Sequence, residues 1–409
     1  MKKLIVYLLP IFIFTGPTHG QTAEEYFKRG NEKNKQSDFL GAIIEFTKVI
    51  EINPRSAEAY FNRANAKRDS NDPAGAILDF SKAIEIHPLD ATIYNSRGNI
   101  KITLHDTVGG QNDFTTALEI DPNYAQPYYN RGSARHAQGH YKEAIDDFSK
   151  YITFDPGDAD AYCYLGIEKS NLKDYSGSLK DLSKAIELKP TDAIYFYNRG
   201  LTKNNLNDSE GAISDFSKSI ELGNSNQMVY HNRGKAKMNN NDCSGAIADF
   251  TKVLEINPNF EEAYFNRGFT KYCLQDYSGA IADYTKAIDL DPEYAKAYFT
   301  RGVAKGDLHA YKEAIIDYNK TIELVPEYAE VYEFYYRRGL ANYNIQDYND
   351  AITDLTKAIE LDPGEADAYY GRGITNINMG NKNEGCLDFN KARDLGNTEA
   401  VEAIKKYCH

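Results

Sequence analysis

Small and apolar residues recur along this chain with a period of 34 residues, far longer than the period of one helix or strand. Glycine marks the period, and Ala64 fills the single gap in the series. The glycines on this lattice are Gly30, Gly98, Gly132, Gly166, Gly200, Gly234, Gly268 and Gly302. Repetition at such a period is typical of repeat architectures, in which each repeat is one supersecondary unit.

Eleven repeats fill residues 23–399 when each is numbered from position 1, with three extra residues before the tenth. We predict nine repeats over 23–328, a phase-shifting insertion at 329–331, two repeats over 332–399 and a closing helix over 400–409. The insertion should lengthen or kink the helix that holds Tyr328, Tyr332, Tyr335 and Tyr336, and so change the direction of the array. The first positions are Ala23, Ala57, Ala91, Ala125, Ala159, Ala193, Gln227, Glu261, Ala295, Tyr332 and Ala366.

Each repeat carries two stripes of residues at helical spacing. Positions 4, 8 and 11 share one helical face and positions 20, 24 and 27 another, so each repeat predicts two amphipathic helices. Positions 8 and 20 are small, which lets the helices touch, and position 24 supplies a bulky partner such as Phe46 or Phe80. Position 4 is aromatic throughout: Tyr26, Tyr60, Tyr94, Tyr128, Tyr162, Phe196, Tyr230, Tyr264, Tyr298, Tyr335 and Tyr369.

Start and stop signals agree with these helices. Proline at position 32 follows the second helix in nine repeats, and proline cannot continue a helix. Aspartate is common at position 16, as in Asp38 and Asp72, where it can cap the first amides of the second helix. One hairpin of this size cannot bury its apolar face, so neighbouring repeats must stack. The sequence therefore predicts an all-α solenoid of about eleven helix-turn-helix hairpins plus a C-terminal closing helix.

The pattern of aromatic 4, small 8, small 20, bulky 24, small 27 and proline 32 resembles the tetratricopeptide repeat family over residues 23–399. This resemblance implies a right-handed superhelix of antiparallel helix pairs. It also implies that the first helices line a concave groove, which binds peptides or partner proteins. The resemblance does not identify the partner.

Charged residues depart from that family pattern. Position 11 is basic in the first nine repeats, and position 23 is acidic in all eleven. We expect each basic pair to straddle the carboxylate between the helices, at about 0.2–1 kcal/mol per pair where exposed. Only Leu165 keeps the leucine often found at position 7, and the other repeats have Arg29, Arg63, Arg97, Arg131, Arg199, Arg233, Arg267, Arg301, Arg338 and Arg372.

Positions 2, 5, 6, 9 and 13 lie on the opposite face of the first helix and are expected to carry function. Position 5 is mostly aromatic and position 6 is often asparagine, whose amide can pair with both polar groups of an extended peptide backbone. This resembles the asparagine ladder of some family members. Alternatively, the amides satisfy neighbouring helices and the aromatic rings pack between repeats. The candidate groove residues are Phe61, Asn62, Tyr129, Asn130, Tyr197, Asn198, His231, Asn232, Phe265, Asn266 and Phe299.

The amino terminus predicts a signal peptide over residues 1–20. Lys2 and Lys3 precede an apolar run from Leu4 to Phe14, and small residues stand three and one positions before Gln21. We therefore expect an exported protein, periplasmic or secreted, after cleavage. An uncleaved anchor is the alternative, although Pro10 interrupts a run that is too short to span a bilayer of about 30 Å.

Net charge narrows the class of partner. The formal charge is −13 and becomes −15 without residues 1–20, whose only charges are Lys2 and Lys3. This balance repels phosphate backbones and anionic lipid headgroups, so we expect neither a nucleic-acid partner nor, after signal cleavage, a membrane. The oligomeric state is left open.

Five cysteines are an odd number for an exported chain. Cys386 lies in the last repeat and Cys408 on the presumed closing helix, so a disulfide between them could fasten the C-terminal end. Buried free cysteines are the alternative. Cys243 and Cys273 form a weaker candidate pair, and Cys163 is expected to face the groove.

No catalytic residue, metal ligand or cofactor site is predicted. The nearest metal-like constellation is His136 and His140 with Glu143, and no further ligand cluster accompanies it. The leading interpretation is a protein-interaction scaffold, not an enzyme, that binds a partner protein or an extended peptide segment. The alternatives are an architectural or self-assembling protein that acts through its outer faces and, third, a glycan-binding protein suggested by tyrosine and asparagine.

Overall fold

The computed structural model describes residues 22–327 and 331–408, and over these ranges it contains 23 α-helices and no strand. The first helices of the repeats are α1 Ala23–Lys35, α3 Ala57–Asp69, α5 Ala91–Thr103, α7 Ala125–Ala137, α9 Ala159–Asn171, α11 Ala193–Asn205, α13 Gln227–Asn239, α15 Glu261–Cys273, α17 Ala295–Asp307, α19 Tyr332–Asn344 and α21 Ala366–Asn378. The second helices are α2 Phe39–Ile52, α4 Pro73–Ile86, α6 Thr107–Ile120, α8 Tyr141–Phe154, α10 Tyr175–Leu188, α12 Ser209–Glu221, α14 Cys243–Ile256, α16 Tyr277–Leu290, α18 Tyr311–Leu324, α20 Tyr348–Leu361 and α22 Lys382–Asp394, and α23 Thr398–Tyr407 follows them. The prediction of an all-α solenoid of eleven hairpins with a closing helix is confirmed.

Two compact units divide the chain, an N-terminal unit of residues 1–190 and a C-terminal unit of residues 191–409. Within the described part of each unit, the two helices of a repeat pack against each other and the second helix packs on the next first helix. Among the described residues, no helix is long and apolar enough to cross a membrane. The predicted signal peptide, residues 1–20, lies outside the described residues.

The insertion before the tenth repeat is only partly described, because residues 328–330 are outside the described ranges. Val331 is in an extended conformation and is the N-cap of α19. Helix α19 therefore begins at Tyr332 and holds Tyr335 and Tyr336, with the 13 residues that other first helices have. A change of direction at residues 329–331 stays a prediction.

Close contact between position 8 and position 24 builds the core of each repeat. Phe216 and Phe250 are fully buried at position 24. A Cβ placed on Gly200 would lie 2.7 Å from Cε1 of Phe216, so only glycine admits this ring without a shift. The small residue at position 8 is therefore a packing requirement, because interiors are close-packed.

Arginine and aspartate at positions 7 and 23 bind each other across the two helices of a repeat, as in the eighth repeat. Arg267 Nε donates to Asp283 Oδ2 at 2.9 Å, and Nη2 donates to Asp283 Oδ1 at 2.7 Å. Lys271 Nζ lies 2.7 Å from the same Oδ2. The two basic side chains straddle the carboxylate as expected, and because Asp283 is buried the energy expected for an exposed pair does not apply. All ten predicted arginines make such a pair with the acidic residue at position 23 of their own repeat.

Eight of these arginines also donate a hydrogen bond to the second helix of the preceding repeat. Arg267 Nη1 donates to Thr251 Oγ1 on α14 of the preceding repeat at 3.1 Å, and Arg301 Nη1 donates to Thr285 Oγ1 on α16 at 3.1 Å. The Arg267 guanidinium carbon also lies 5.6 Å from the ring centroid of Tyr264 at position 4. Position 7 therefore fixes both the hairpin and its stacking on the previous hairpin, which is a structural role.

Aspartate at position 16 caps the second helix, as predicted from Asp38 and Asp72. Asp276 Oδ1, for example, accepts from Gly279 N at 2.9 Å. A Cβ placed on Gly279 would lie 2.1 Å from Asp276 Oδ2, so the short cap and glycine at position 19 belong together. Where position 19 is Asp350, the bond to Asp347 lengthens to 3.3 Å.

Cys386 and Cys408 form a disulfide bond, with a Cα–Cα distance of 5.7 Å. It joins α22 to the end of α23, the closing helix, whose residues Ala400 and Ala403 are buried. Cys163 is buried, and Cys243 and Cys273 are free cysteines.

Candidate functional site

The aromatic side chains at position 5 pack between the two helices of their own repeats. Each ring contacts the side chain at position 24, and Phe265 is only 4% exposed. These contacts favour the alternative in which the aromatic rings pack inside the array. The ring-centroid distances are 5.5 Å for Phe61–Phe80, 5.6 Å for Tyr129–Phe148, 5.9 Å for Tyr197–Phe216, 5.8 Å for His231–Phe250, 5.7 Å for Phe265–Tyr284 and 5.9 Å for Phe299–Tyr318.

The asparagines at position 6 mostly bond to protein groups already. Two of these bonds are Asn62 Nδ2 to Asn31 Oδ1, at 3.5 Å, and Asn130 Nδ2 to Asn95 Oδ1, at 2.9 Å. Asn232 Nδ2 donates to the Tyr197 hydroxyl at 3.1 Å, and Asn198 Nδ2 donates to the carbonyl oxygen of Ile194 at 3.0 Å. Asn266 differs, because its Nδ2 is buried with no hydrogen-bond partner among the described residues. The amides therefore do not form one free row.

His231 shows why the predicted residues do not make an open site. Its ring is 2% exposed, and burial lowers the pKa of its imidazole, against the opposing effect of Glu262. Nε2 lies 3.4 Å from Glu262 Oε1, while Nδ1 is buried without a hydrogen-bond partner in the described chain. His231 is thus a buried histidine whose neutral form is favoured.

The histidines considered as metal ligands have other roles. His136 Nδ1 pairs with Glu168 Oε1 on α9, two helices further along the chain. Glu168 is fully buried, and burial raises the pKa of its carboxyl while His136 lowers it. His140 is the N-cap of α8. Within residues 22–327 and 331–408, no group of three or more potential metal ligands lies together.

A row that the sequence interpretation did not single out is position 9 of the first helices. In the N-terminal unit this row begins with polar residues, whereas in the C-terminal unit it is mainly apolar. The signal was available, since position 9 lies on the face expected to carry function and is apolar in most of the later repeats. The polar members are Asn31, Asn65, Asn99 and Ser133, and the apolar members of the C-terminal unit are Leu201, Phe269, Val303, Leu340 and Ile374, with Lys235 between them.

A cavity of about 170 Å³ opens beside this row, between α15, α17 and α19. Phe269, Phe299 and Val303 form apolar walls, and Arg337 lies at its α19 side. Tyr284, which is fully buried, also lines the cavity, and its hydroxyl has no hydrogen-bond partner within the described residues. The cavity has the size of one side chain and an unused polar group in its wall.

A second cavity, of about 290 Å³, lies on the other side of Arg337, between α17, α18 and α19. Its lining includes Asp307, which accepts a 2.7 Å hydrogen bond from the hydroxyl of Tyr272. Burial raises the pKa of Tyr272 to about 12, with a contribution from Asp307. Both cavities lie at the junction of α17 and α19.

A third cavity, of about 550 Å³, lies between α19, α21 and α23. Leu340 and Ile374 of the position-9 row line it, together with Tyr336, Tyr343 and Tyr370. The three cavities thus follow the first helices of the last four repeats. We name this surface the C-terminal groove and define it by Phe269, Val303, Arg337, Leu340, Tyr343, Tyr370 and Ile374.

Comparison with protein families finds tetratricopeptide repeats at five places. The matches cover residues 27–91, 114–146, 229–260, 271–308 and 332–365. No curated protein matches the chain.

Several solved structures resemble the chain at low identity. YrrB, described as a TPR protein with an unusual peptide-binding site, is 23% identical over 45% of this chain and 95% of its own, with a TM-score of 0.41. A tetratricopeptide repeat protein from Parabacteroides merdae is 22% identical over 61% of this chain and 99% of its own, with a TM-score of 0.45. The APC/C hetero-tetramer Cut9–Hcn1 gives 12% identity over 95% of this chain and 97% of its own, with a TM-score of 0.45.

Proposed function

The chain belongs to the tetratricopeptide repeat family, and from this premise we propose that it binds an extended segment of a partner protein in the C-terminal groove. Repeats of this family generally serve as interaction scaffolds and not as enzymes. The observation that carries the proposal is the series of three cavities along α15, α17, α19, α21 and α23. A segment that spans several first helices can place successive side chains in such cavities.

The chemistry of the C-terminal groove suits a polypeptide. Its walls are apolar at Phe269, Val303 and Leu340, and such walls favour the burial of aliphatic or aromatic side chains. Tyr272, Thr300 and Arg337 add polar groups to the wall of the first cavity. Side-chain pockets with a few polar groups are the usual means by which a groove selects an extended segment.

An architectural role through outer faces is the second candidate, and one observation favours it. Apolar side chains stand exposed at positions 18 and 22 of second helices in the N-terminal unit: Leu40 is 70% exposed, Leu78 68% and Val108 67%. Positions 18 and 22 lie one turn apart on the same face of the second helix, and exposed apolar groups there can mediate association. Light scattering of the full chain and of a Leu40→Ser/Leu78→Ser variant tests this role, since a monomer in both cases rejects it.

We also propose that the protein acts outside the cytoplasm. The support is the amino-terminal sequence, with Lys2 and Lys3, the apolar run over 4–14 and the small residues before Gln21. The acidic balance of the chain supports a protein partner over nucleic acid or anionic lipid.

Selection from a display library of random 12-residue peptides tests peptide binding. The full chain should enrich peptides that bind it in solution. The variant Phe269→Ser/Leu340→Ser should weaken these peptides at least about tenfold, because two apolar contacts are removed.

The matched control is Leu387→Ser, at an apolar residue that is 71% exposed on α22 and lies outside the C-terminal groove. It should leave affinity unchanged. Circular dichroism should show that all three proteins are folded. Absence of any enriched peptide, or equal loss with Leu387→Ser, would reject the proposed groove.

A further inference from the structure

Tyrosine rings and carboxylates meet in the cavity of about 550 Å³ at the C-terminal end of the groove. Tyr336 and Tyr343 come from α19, and Tyr370 comes from α21. Asp367 and Glu399 stand in the first turns of α21 and α23 and also line the cavity. Three aromatic side chains and two negative charges thus border one space.

The two carboxylates retain unused acceptor capacity. Asp367 Oδ1 accepts from Asn397 Nδ2 at 2.8 Å, and within the described ranges no hydrogen bond occupies Oδ2. Glu399 makes no hydrogen bond or ion pair with any residue of the described ranges. This arrangement differs from the buried carboxylates at position 23, each of which already holds a basic partner.

No lysine or arginine lines this cavity among the described residues. The two basic side chains that act on its tyrosines have partners of their own. Arg337 Nε donates to Glu333 Oε1 at 2.5 Å, and Lys406 Nζ lies 4.7 Å from the ring centroid of Tyr407. The lining therefore carries a formal charge of −2, from Asp367 and Glu399.

The same carboxylates contribute to the raised pKa values of two tyrosines in the cavity. The pKa of Tyr336 is raised to about 12, by burial first and then by Asp367, with smaller contributions from Glu333 and Glu399, while Arg337 opposes them. The pKa of Tyr370 is raised by burial first and then by Glu399. The two carboxylates thus act on tyrosine hydroxyls that line the cavity.

We propose that this cavity binds the cationic side chain of a lysine or arginine in the extended partner segment. A cation is attracted by aromatic faces and by the two carboxylates at once, and its aliphatic stem can lie against Leu340 and Ile374. The inference rests on the proposed function and adds to it a chemical requirement on the partner. An acidic side chain or a phosphate is repelled here.

Peptides selected by the full chain provide the probes. They should share a lysine or arginine at one position, and replacing that residue by norleucine should weaken binding about tenfold, which corresponds to the loss of a partly desolvated cation–π and ion contact. The variant Asp367→Asn/Glu399→Gln should weaken the lysine peptide by a similar factor. It should also narrow the difference between the lysine and norleucine peptides, because only the tyrosine rings then favour the cation.

The control Glu360→Gln/Glu384→Gln removes two negative charges at exposed sites of the same unit. It should keep the preference for lysine, which separates a local site from a general effect of net charge. Both variants change exposed side chains isosterically, so their melting temperatures should match that of the wild type.

Each other outcome overturns a distinct statement. Enriched peptides without a fixed basic residue, or a norleucine peptide that binds as well as the lysine peptide, overturn the cationic pocket and leave the groove intact. Failure to select any peptide overturns the groove as well. Binding of neutral oligosaccharides that is lost in Tyr343→Ala or Tyr370→Ala would show a sugar site and would also overturn the inference.

Discussion

At the scale of single residues, the buried carboxylate at position 23, an aspartate in every repeat but the first, is the centre of each repeat. Asp283 accepts hydrogen bonds from Arg267, and Lys271 lies beside it, so one carboxylate holds two basic side chains in the interior. Breaking such a pair is expensive because a charge remains buried without its partner. Pairing with this buried carboxylate explains why arginine recurs at position 7, and no bound ligand is needed to explain it.

The variant Arg267→Ala should lower the free energy of unfolding by about 3 kcal/mol, because Asp283 keeps only Lys271. Chemical denaturation followed by circular dichroism measures this change. Lys252→Ala, which removes a surface pair with Glu255, should leave stability essentially unchanged. Equal effects of the two substitutions would show that burial does not govern these pairs.

His231 gives a pH-dependent prediction. Its pKa in the folded state lies below the ordinary value because of burial, so the unfolded chain takes up a proton first as the pH falls. The wild type should therefore lose stability as the pH drops from about 7 towards the lowered folded pKa. Phenylalanine, which occupies the same position at Phe265, does not titrate.

The melting temperature of His231→Phe should accordingly exceed that of the wild type by more at pH 5 than at pH 7. Thermal unfolding at both pH values measures the difference. His140→Phe, at an exposed histidine in the N-terminal unit, is the control and should show no such widening. A constant difference between His231→Phe and wild type would contradict a buried neutral imidazole.

At the scale of elements, position 16 and position 19 act together at the start of the second helix. Asp276 caps α16 through Gly279 N, and a side chain at Gly279 would collide with the carboxylate. Sequence analysis predicted the cap from aspartate alone. The preference for glycine at position 19 follows from the structure, in which a Cβ on Gly279 would lie 2.1 Å from Asp276 Oδ2.

Alanine normally stabilises a helix relative to glycine by about 1 kcal/mol. In Gly279→Ala this gain should be cancelled, because the new Cβ displaces the Asp276 cap, whose loss costs about 1 kcal/mol. In an Asp276→Ala background the same substitution should stabilise the protein. Denaturation of the wild type, both single variants and the double variant measures the coupling, and an identical effect of Gly279→Ala in both backgrounds would refute it.

The helices could be predicted from the sequence because every repeat reports the same small, aromatic and capping positions, and eleven copies reinforce one another. The candidate site could not. Position 5 looked exposed on a helical wheel, yet Phe265 and His231 are covered by neighbouring helices. The first two cavities depend on the spacing of α17 and α19, and the third on the spacing of α19, α21 and α23, which no pattern of residue types encodes.

At the scale of the whole chain, the polar and apolar members of the position-9 row are distributed unequally between the two compact units. Asn31, Asn65 and Asn99 belong to the N-terminal unit, and Phe269 and Leu340 belong to the C-terminal unit. A single repeat pattern thus carries two different surfaces. Binding can therefore be confined to the C-terminal groove although the same hairpin is repeated along the whole array.

Export, which the amino-terminal sequence predicts, also has a consequence for the whole chain because disulfides persist in oxidising compartments. Chain recovered from the exported fraction should begin near Gln21 and carry the Cys386–Cys408 bond. After denaturation without a reductant it should then show three thiols, those of Cys163, Cys243 and Cys273. Before denaturation Cys163 should not react, since it is buried.

Mass spectrometry of alkylated protein counts these thiols and locates the amino terminus. Chain made without residues 1–20 in a reducing cytoplasm is the comparison, and it should show five thiols. It should also melt at a lower temperature, since opening a bridge across 22 residues removes about 3 kcal/mol on the chain-entropy model. Five thiols in chain that retains residues 1–20 would contradict export, whereas three thiols with an uncleaved amino terminus would favour the anchored alternative.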